Sequence, residues 1–599
     1  MRPRPTNTAA PGSRSRCACR AGAGTSTSTL QTLPARSCMG LADELDPEPT
    51  GASAGAESLA LSLSERLALD QNDAGNAARI LAAHGEDMIF VTGKGWGIWD
   101  GARYSFRSGE LRAREIGFRL QALVEEEARA AAGVEPSEIE VAARIRVEVA
   151  KDKPKFGDPE TAARVLRSER RAALEKHAIK CGNVAKVKAA LEAAQPRVMA
   201  DIEDLDRDPW SFVVANGRVD LRAVYAARDR LCLVPEEDVE ARAAWLKPHD
   251  RAARPTKASG VTYDPAAKCP AWEAFVALIM PDPGVRACLH RALGAALFGR
   301  NDSQCALLFR GGGGNGKSTL VNALQHVLGE RDGYAAPCKI EMFIATQNTT
   351  AGQATPEEVD LPGARAYIAS EPSARDELSA KKIKALTGGD LRPARALGMP
   401  QFLYRPAGLP ILSFNRTPRI KDEDEGTRRR LVFFPFEVNL RDLPPELRRS
   451  STAVESELRA EAPGILNWLL DGFVEWRKRL DAGQGKPPGI DPPAIMVELK
   501  DSLMESADPV GEFIKDCCVR DPSRWIRTQE FIRVYEAWCE RTGSVQFKPS
   551  TVREVMTEKG VPKRKKGGGY ESFLGLDWIA GPEMDSLLNA AGWGPEIVR

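Results

Sequence analysis

The stretch Ala-Leu-Leu-Phe-Arg-Gly-Gly-Gly-Gly-Asn-Gly-Lys-Ser-Thr-Leu at 306–320 constrains this chain more than any other. An apolar run at 306–309 enters a turn in which Gly311, Gly316, Lys317 and Ser318 stand in the G-x-x-x-x-G-K-[ST] register, and 321–328 continue with helical period. That order is strand, phosphate-binding loop, helix. Gly311, Gly312, Gly313 and Gly314 carry no Cβ, so the backbone can turn its N–H groups toward an anion, and the helix N-terminus adds partial positive charge. Asn315 and Gly316 complete the cradle. Lys317 is expected to reach the β- and γ-phosphates of a nucleoside triphosphate, ATP, and Ser318 to hold Mg²⁺, with Thr319 as a second hydroxyl.

With 599 residues the chain has room for three or four domains, and 43% hydrophobic residues can fill several cores. Lys+Arg 84 against Asp+Glu 83 leaves a formal charge of +1, so a nucleic-acid surface has to be a local patch. The 12 cysteines contain no Cys-x-x-Cys pair, and neither a zinc site nor a disulfide framework is indicated. No apolar stretch approaches the length of a membrane span.

Residues 1–40 are rich in Arg, Ser, Thr, Ala and Gly, and the first acidic residue is Asp43. Such a composition buries little. It fits an organelle transit peptide, or sequence upstream of a true start at Met39, which is the reading we take. Order is expected from near Leu59. A short helix ending at Gly85 then leads to a hairpin carrying a Trp96/Trp99 pair, read as core packing. Residues 110–200 form a helical layer. Asp204 and Asp206, one residue apart on a strand, would share a face and could hold a metal for nucleotidyl transfer; an exposed acidic turn is the simpler reading. A strand at 212–215 closes in the turn Asn216-Gly217.

Beyond the loop, Ala364-Arg-Ala-Tyr-Ile-Ala-Ser370-Glu371 is an apolar strand ending in a carboxylate, and Glu371 is expected as general base and second metal contact. Leu409-Pro-Ile-Leu-Ser-Phe414-Asn415 ends in an amide able to bond the γ-phosphate and the attacking water. Between them, Gly388-Gly389 forces a tight turn flanked by Lys384, Arg392 and Arg395, a loop suited to a phosphate backbone. Arg428, Arg429 and Arg430 open the next strand, and one of them is the candidate finger toward a neighbouring subunit's nucleotide. Near the C-terminus, Thr528 opens an amphipathic helix and Thr551-Val-Arg-Glu554 a second one, with Lys548 and Arg553 at its front. Lys563, Arg564, Lys565 and Lys566 would form a basic wing contacting duplex phosphates.

These motifs together resemble the phage and plasmid primase-helicase family, whose ATPase is of the superfamily 3 helicase type shared with poxvirus-type primase-helicases. The resemblance rests on Gly313-Gly-Asn-Gly-Lys-Ser-Thr319, Ala369-Ser-Glu371, Ile383-Lys-Ala-Leu-Thr-Gly-Gly-Asp390 with Arg395, Asn415-x-x-Pro418, and Arg429-Arg430 ahead of Pro435-Phe436. It extends upstream through Leu205-Asp206, Asn216-Gly217 with Asp220-Leu221, Tyr263-Asp-Pro265 and Cys269-Pro-Ala-Trp272. Two departures are Ser370 ahead of a lone acid and Arg428 where a Trp often stands; the resemblance then leaves Arg429 and Arg430 as the finger candidates, Arg430 by preference.

The resemblance implies an α/β, AAA+-like phosphate-loop core at 301–450. Before it come an unstructured lead at 1–58, an α+β domain at 59–255 and a helical collar at 256–300. A helical region with a Gly/Pro linker at 451–500 and a winged-helix-like DNA-binding domain at 501–599 follow. It implies a replicative helicase of a phage, plasmid or integrated element in a bacterial cytoplasm. Such an enzyme is a homo-oligomeric ring, expected as a hexamer, that moves 3′ to 5′ on single-stranded DNA at forked duplexes and works with a primase or initiator. A hairpin after Glu371 would track the strand. The residues before about 70 are too few for a catalytic primase domain. Two alternatives stand beside this: a cryptic primase centred on Asp204 and Asp206, and a nucleotide-switched initiator or loader that separates no strands.

Overall fold

The computed structural model describes residues 61–593 apart from 231–238, 346–354, 371–376, 416–418, 422–423, 446–447, 507–508, 543, 545 and 567. The helix Asp73–His84 starts where Asn72 accepts from the Gly75 amide at 2.9 Å. It leads into β1 (Met88–Val91), β2 (Gly95–Trp99) and β3 (Tyr104–Ser105), an antiparallel sheet. Trp96 and Trp99 do not pair. Three residues apart on a strand they face opposite sides, Trp96 against Phe90 with 5.3 Å between centroids and Trp99 against Tyr104, also at 5.3 Å. Trp96 joins the core of the helices Gly109–Phe118, Leu120–Ala130, Pro159–Cys181 and Val184–Ala194. Inside that bundle Arg79 Nε meets Glu127 at 2.8 Å, both side chains nearly solvent-free.

Asp204 ends a 3-10 turn, Ile202–Asp204, and is not on a strand. β4 (Ser211–Val214), β5 (Gly217–Asp220) and β6 (Leu246–Lys247) form a second antiparallel sheet. The Asn216 side chain closes the β4–β5 turn on Tyr263, donating to its carbonyl at 3.0 Å and accepting from its amide at 2.9 Å. Sheet and downstream core are joined directly: the Val213 amide donates to the Tyr334 hydroxyl at 3.0 Å, and buried Arg365 donates to the carbonyls of Ser211 and Leu297. The helices Pro270–Ile279 and Pro283–Ala295 make the expected hairpin.

The apolar runs then become β7 (Ala306–Arg310), β8 (Ala335–Pro337), β9 (Ala366–Ser370), β13 (Leu409–Phe414) and β15 (Leu431–Pro435). They form one parallel sheet in the order β15-β7-β13-β9-β8. Strands covered on both faces have no polar side to show, hence their unbroken hydrophobicity. Between β9 and β13 lie β10 (Glu377–Ser379), the helix Ala380–Thr387, and the antiparallel pair β11 (Arg392–Ala394) and β12 (Phe402–Tyr404); β14 (Arg419–Lys421) pairs with β10.

The helix Ala462–Asp481 packs on Pro283–Ala295, and the Gly/Pro-rich segment expected as a linker is packed too. Ile490 is fully buried, and its carbonyl accepts from Arg291 Nε at 3.0 Å and Cys288 Sγ at 3.7 Å. The helix Ala494–Ser506 sends Leu503 and Met504 into the cluster that holds Phe433. The last unit sets Pro509–Cys517, Thr528–Thr542 and Pro549–Glu558 against an antiparallel sheet of β16 (Cys518–Arg527), β18 (Tyr570–Trp578) and β17 (Lys563–Lys566), in that order, around Phe513, Phe531 and Trp538. The second helix starts two residues before Thr551, because Pro549 with its preset φ takes the first helical position and Lys548 the cap.

Candidate functional site

At the C-terminal edge of the parallel sheet, the loop after β7 turns on Gly313, Gly314 and Gly316, whose φ angles are +96°, +67° and +80°. A Cβ on Gly316 would stand 2.8 Å from Ile279, so the helical hairpin closes one side of the loop. The other side is held by Asn315, whose amide donates to the Phe436 carbonyl at 2.9 Å, and by the Leu440 amide, which donates to the Gly314 carbonyl at 2.8 Å. Gly312 and Gly313 face open space. The loop is thus tied at its rim and open at its centre, as an anion cradle requires.

Lys317 begins the helix Lys317–Leu328 and is only 7% exposed. Its ammonium donates to the Gly311 carbonyl at 2.5 Å, to Asn315 Oδ1 at 3.1 Å and to Asn415 Oδ1 at 3.2 Å. Three donors on three acceptors satisfy a buried ammonium. Asn415 therefore comes to the loop from the end of β13. Ser318 is exposed on the first turn and Thr319 half-buried; a single hydroxyl beside open space suits Mg²⁺, which keeps most of its shell for water and phosphate oxygens. Glu371, the expected base and metal contact, lies outside the described residues. Among the described residues no cluster of His, Cys, Asp and Glu could hold a metal by itself. Asp206 accepts from the Thr256 amide at 2.8 Å and from its hydroxyl, and Asp204 meets Arg254 at 3.4 Å.

One residue of this site was not found in the sequence. Arg441 Nε lies 3.2 Å from where a Cβ on Gly314 would stand, a cation beside the cradle supplied by the turn after β15. Only the fold brings it there.

The cations around the Gly388-Gly389 turn divide. Lys384 pairs with Asp424 and holds that carboxyl down at about 2. Arg392 is engaged by Glu358 through two contacts, 2.6 and 3.1 Å, and Tyr404 donates to the same carboxylate at 2.8 Å. Arg395, at the exposed tip between β11 and β12, donates to the Met399 carbonyl at 3.2 Å, and Leu397 beside it is 88% exposed. Gly388 and Gly389 themselves line a cavity of about 850 Å³ at the opposite edge of the sheet, with Lys94, Asp206, Arg365 and Arg405.

Of the paired arginines, Arg430 donates to the Gly426 carbonyl at 2.8 Å and to Gln304 Oε1 at 3.1 Å, and burial lowers its pKa. Arg429 is exposed. In the last unit Lys548 is exposed at a helix start, Arg553 half-exposed, and Lys563, Arg564, Lys565 and Lys566 are all exposed on β17.

Residues 77–281 match the D5 N terminal like family. The chain is 29% identical over 258 residues to Putative helicase L207/L206 of Acanthamoeba polyphaga mimivirus, an alignment covering 41% of this chain and 26% of that protein. It is 31% identical over 282 residues to Putative helicase 022R of Frog virus 3, covering 44% and 27%. The chain thus spans about a quarter of the length of these two relatives. They come from viruses of eukaryotes and lend no support to a bacterial host. Among solved structures, the A form apo structure of the NrS-1 C terminal region aligns with 52% of this chain and 76% of its own at 15% identity and a TM-score of 0.31. Among the described residues no helix is long and apolar enough to cross a membrane.

Proposed function

This chain carries a D5 N-terminal-like region and is related to proteins named helicases, consistent with a primase-helicase family, and we propose from that premise that it is an ATP-dependent DNA helicase of replication. The observation that carries the reading is the buried Lys317 ammonium joining the glycine loop to Asn415 at the strand ends of a parallel sheet. An AAA+-like, superfamily 3 core is supported by the strand order, in which β13 lies between the loop strand β7 and β9. ATP would lie on residues 311–319, its γ-phosphate taking over donors of Lys317 that now serve the loop. Mg²⁺ at Ser318 would neutralise phosphate charge. Glu371 would polarise the attacking water, Asn415 orient it, and Arg441 add charge beside the loop.

In a homo-oligomeric ring, taken as a hexamer, Arg429 is the better trans finger because Arg430 is held within its own subunit. The β11–β12 tip, with Arg395 and Leu397, would engage single-stranded DNA moving 3′ to 5′. Arg392 on β11 is held from behind by Glu358, and Lys384 pairs with Asp424 at the start of the helix Glu425–Arg428. The last unit has the helices and antiparallel sheet of a winged helix, and Lys548, Arg553 and the basic strand β17 suit DNA phosphates at a fork. A primase or replication initiator would be its partner at the fork.

The test is ATP hydrolysis with and without single-stranded DNA, and unwinding of a 3′-tailed fork, for wild type, Lys317→Ala and Glu371→Gln, with oligomeric state read by light scattering. DNA-stimulated hydrolysis and unwinding by a ring-sized species, both lost in the variants, support the motor. Hydrolysis by a monomer that ignores DNA sinks it.

A further inference from the structure

The run Lys563-Arg-Lys-Lys566 lies on β17 and alternates between the two faces of the last sheet. Cross-strand partners share a face. Lys563 is opposite Phe573, and Phe573 is opposite Ile526, both buried against the helices. The other face therefore carries Arg527, Ser572 and Arg564 in one row across the three strands, Tyr570 with Lys566 at one end, and Trp525 with Leu574 at the other. Two aromatic side chains are exposed there, Tyr570 at 56% and Trp525 at 36%. The Arg527 guanidinium is stacked 4.8 Å from the Tyr570 ring centroid and 5.9 Å from that of Trp593.

Exposed large aromatics on a sheet face are costly to solvate, and their interleaving with Arg527, Arg564 and Lys566 selects the occupant. Duplex DNA presents phosphates but hides its base faces, so it would leave both rings unused. An unpaired strand offers bases to the rings and phosphates to the cations at once. Leu574 lies opposite Trp525 and four residues from Tyr570, so the rings are roughly 13 Å apart along the sheet. We propose that the outer face of this C-terminal sheet is a binding platform for an unpaired DNA strand, with Trp525 and Tyr570 stacking on bases and Arg527, Arg564 and Lys566 holding the backbone. This rests on reading the last unit as DNA-binding, and not on the motor.

The full chain, without nucleotide, is photo-crosslinked to a single-stranded oligonucleotide carrying 5-iododeoxyuridine, and the adducts are mapped by mass spectrometry. Binding of single-stranded and duplex probes is followed by anisotropy. Adducts at Trp525 or Tyr570 are expected, with single-strand binding weakened about tenfold in W525A/Y570A. W525F/Y570F should retain binding, and DNA-free ATP hydrolysis should be unchanged in both variants. Lys317→Ala, which removes the motor, should keep the adducts, so a failed motor and a failed platform give different results. Absence of adducts on this sheet overturns the proposal. So does equal loss of duplex and single-strand binding in W525A/Y570A, which would mark a backbone contact only.

Discussion

The side-chain oxygen of Asn415 accepts from the Lys317 ammonium at 3.2 Å, so the residue that closes β13 and the residue that opens the phosphate-loop helix are bonded across the sheet edge. The bond sets the lysine's direction toward the loop. Asn415→Ala should lower kcat for ATP about 100-fold, the scale for removing one preorganised polar group from a charged transition state, with KM changed far less. Phosphate-release kinetics measure both, and a purely KM effect would place Asn415 outside the reacting geometry.

Arg441 approaches the loop at Gly314 from the turn after β15. Loss of one charge-assisted contact to a phosphate corresponds to roughly a tenfold weaker interaction. Arg441→Ala should therefore raise the Kd for ATP about tenfold while leaving thermal stability unaltered, because the side chain is exposed. Nucleotide-binding titration decides it; an unchanged Kd would mean that Arg441 points past the ligand.

Glu358 accepts from both Arg392 and Tyr404 behind the β11–β12 hairpin. Glu358→Ala would strand a largely buried guanidinium and a buried phenol, at a cost of about 3 kcal/mol. Denaturant unfolding of the full chain should show it, and the double variant with Arg392→Leu should recover part. Full additivity of the two losses would contradict the pairing.

Burial first, and then neighbouring Lys257, push the Lys94 ammonium down from 10.5 to about 8. Below pH 8 it is charged whether the chain is folded or not, and folding carries the desolvation cost. Between about 8 and 10.5 only the unfolded chain keeps the proton, so the cost fades as pH rises. Lys94→Met should raise Tm at pH 7.5, and the gain should shrink toward pH 10. A pH-independent gain in scanning calorimetry would remove desolvation as the cause.

Elements buried on both faces were legible in the sequence, since 306–309 and 409–414 show one hydropathy whichever way each side chain points. The loop was legible for another reason: its glycines answer a local demand for positive φ and close approach. What escaped depends on distant partners. Arg392 looks the same in sequence whether it faces DNA or Glu358, which stands 34 residues away, and Tyr404 is 46 residues from that carboxylate. The Gly/Pro content of 483–493 says that the chain bends there, and only tertiary contact with Arg291 and Cys288 tells a bend in solvent from a bend in a core. Arg429 and Arg430 are equivalent by composition and are separated only by which one meets Gln304.

The anchoring of Ile490, and of Leu503 and Met504, bears on what the platform proposed for the last unit would do. A flexible tether would dilute a captured segment over a sphere whose radius grows with linker length. Here the stem is clamped into the core around the parallel sheet as far as Met504, so the local concentration of a strand on the proposed platform would be set by molecular geometry. A strand released from the proposed platform would stay within reach for recapture.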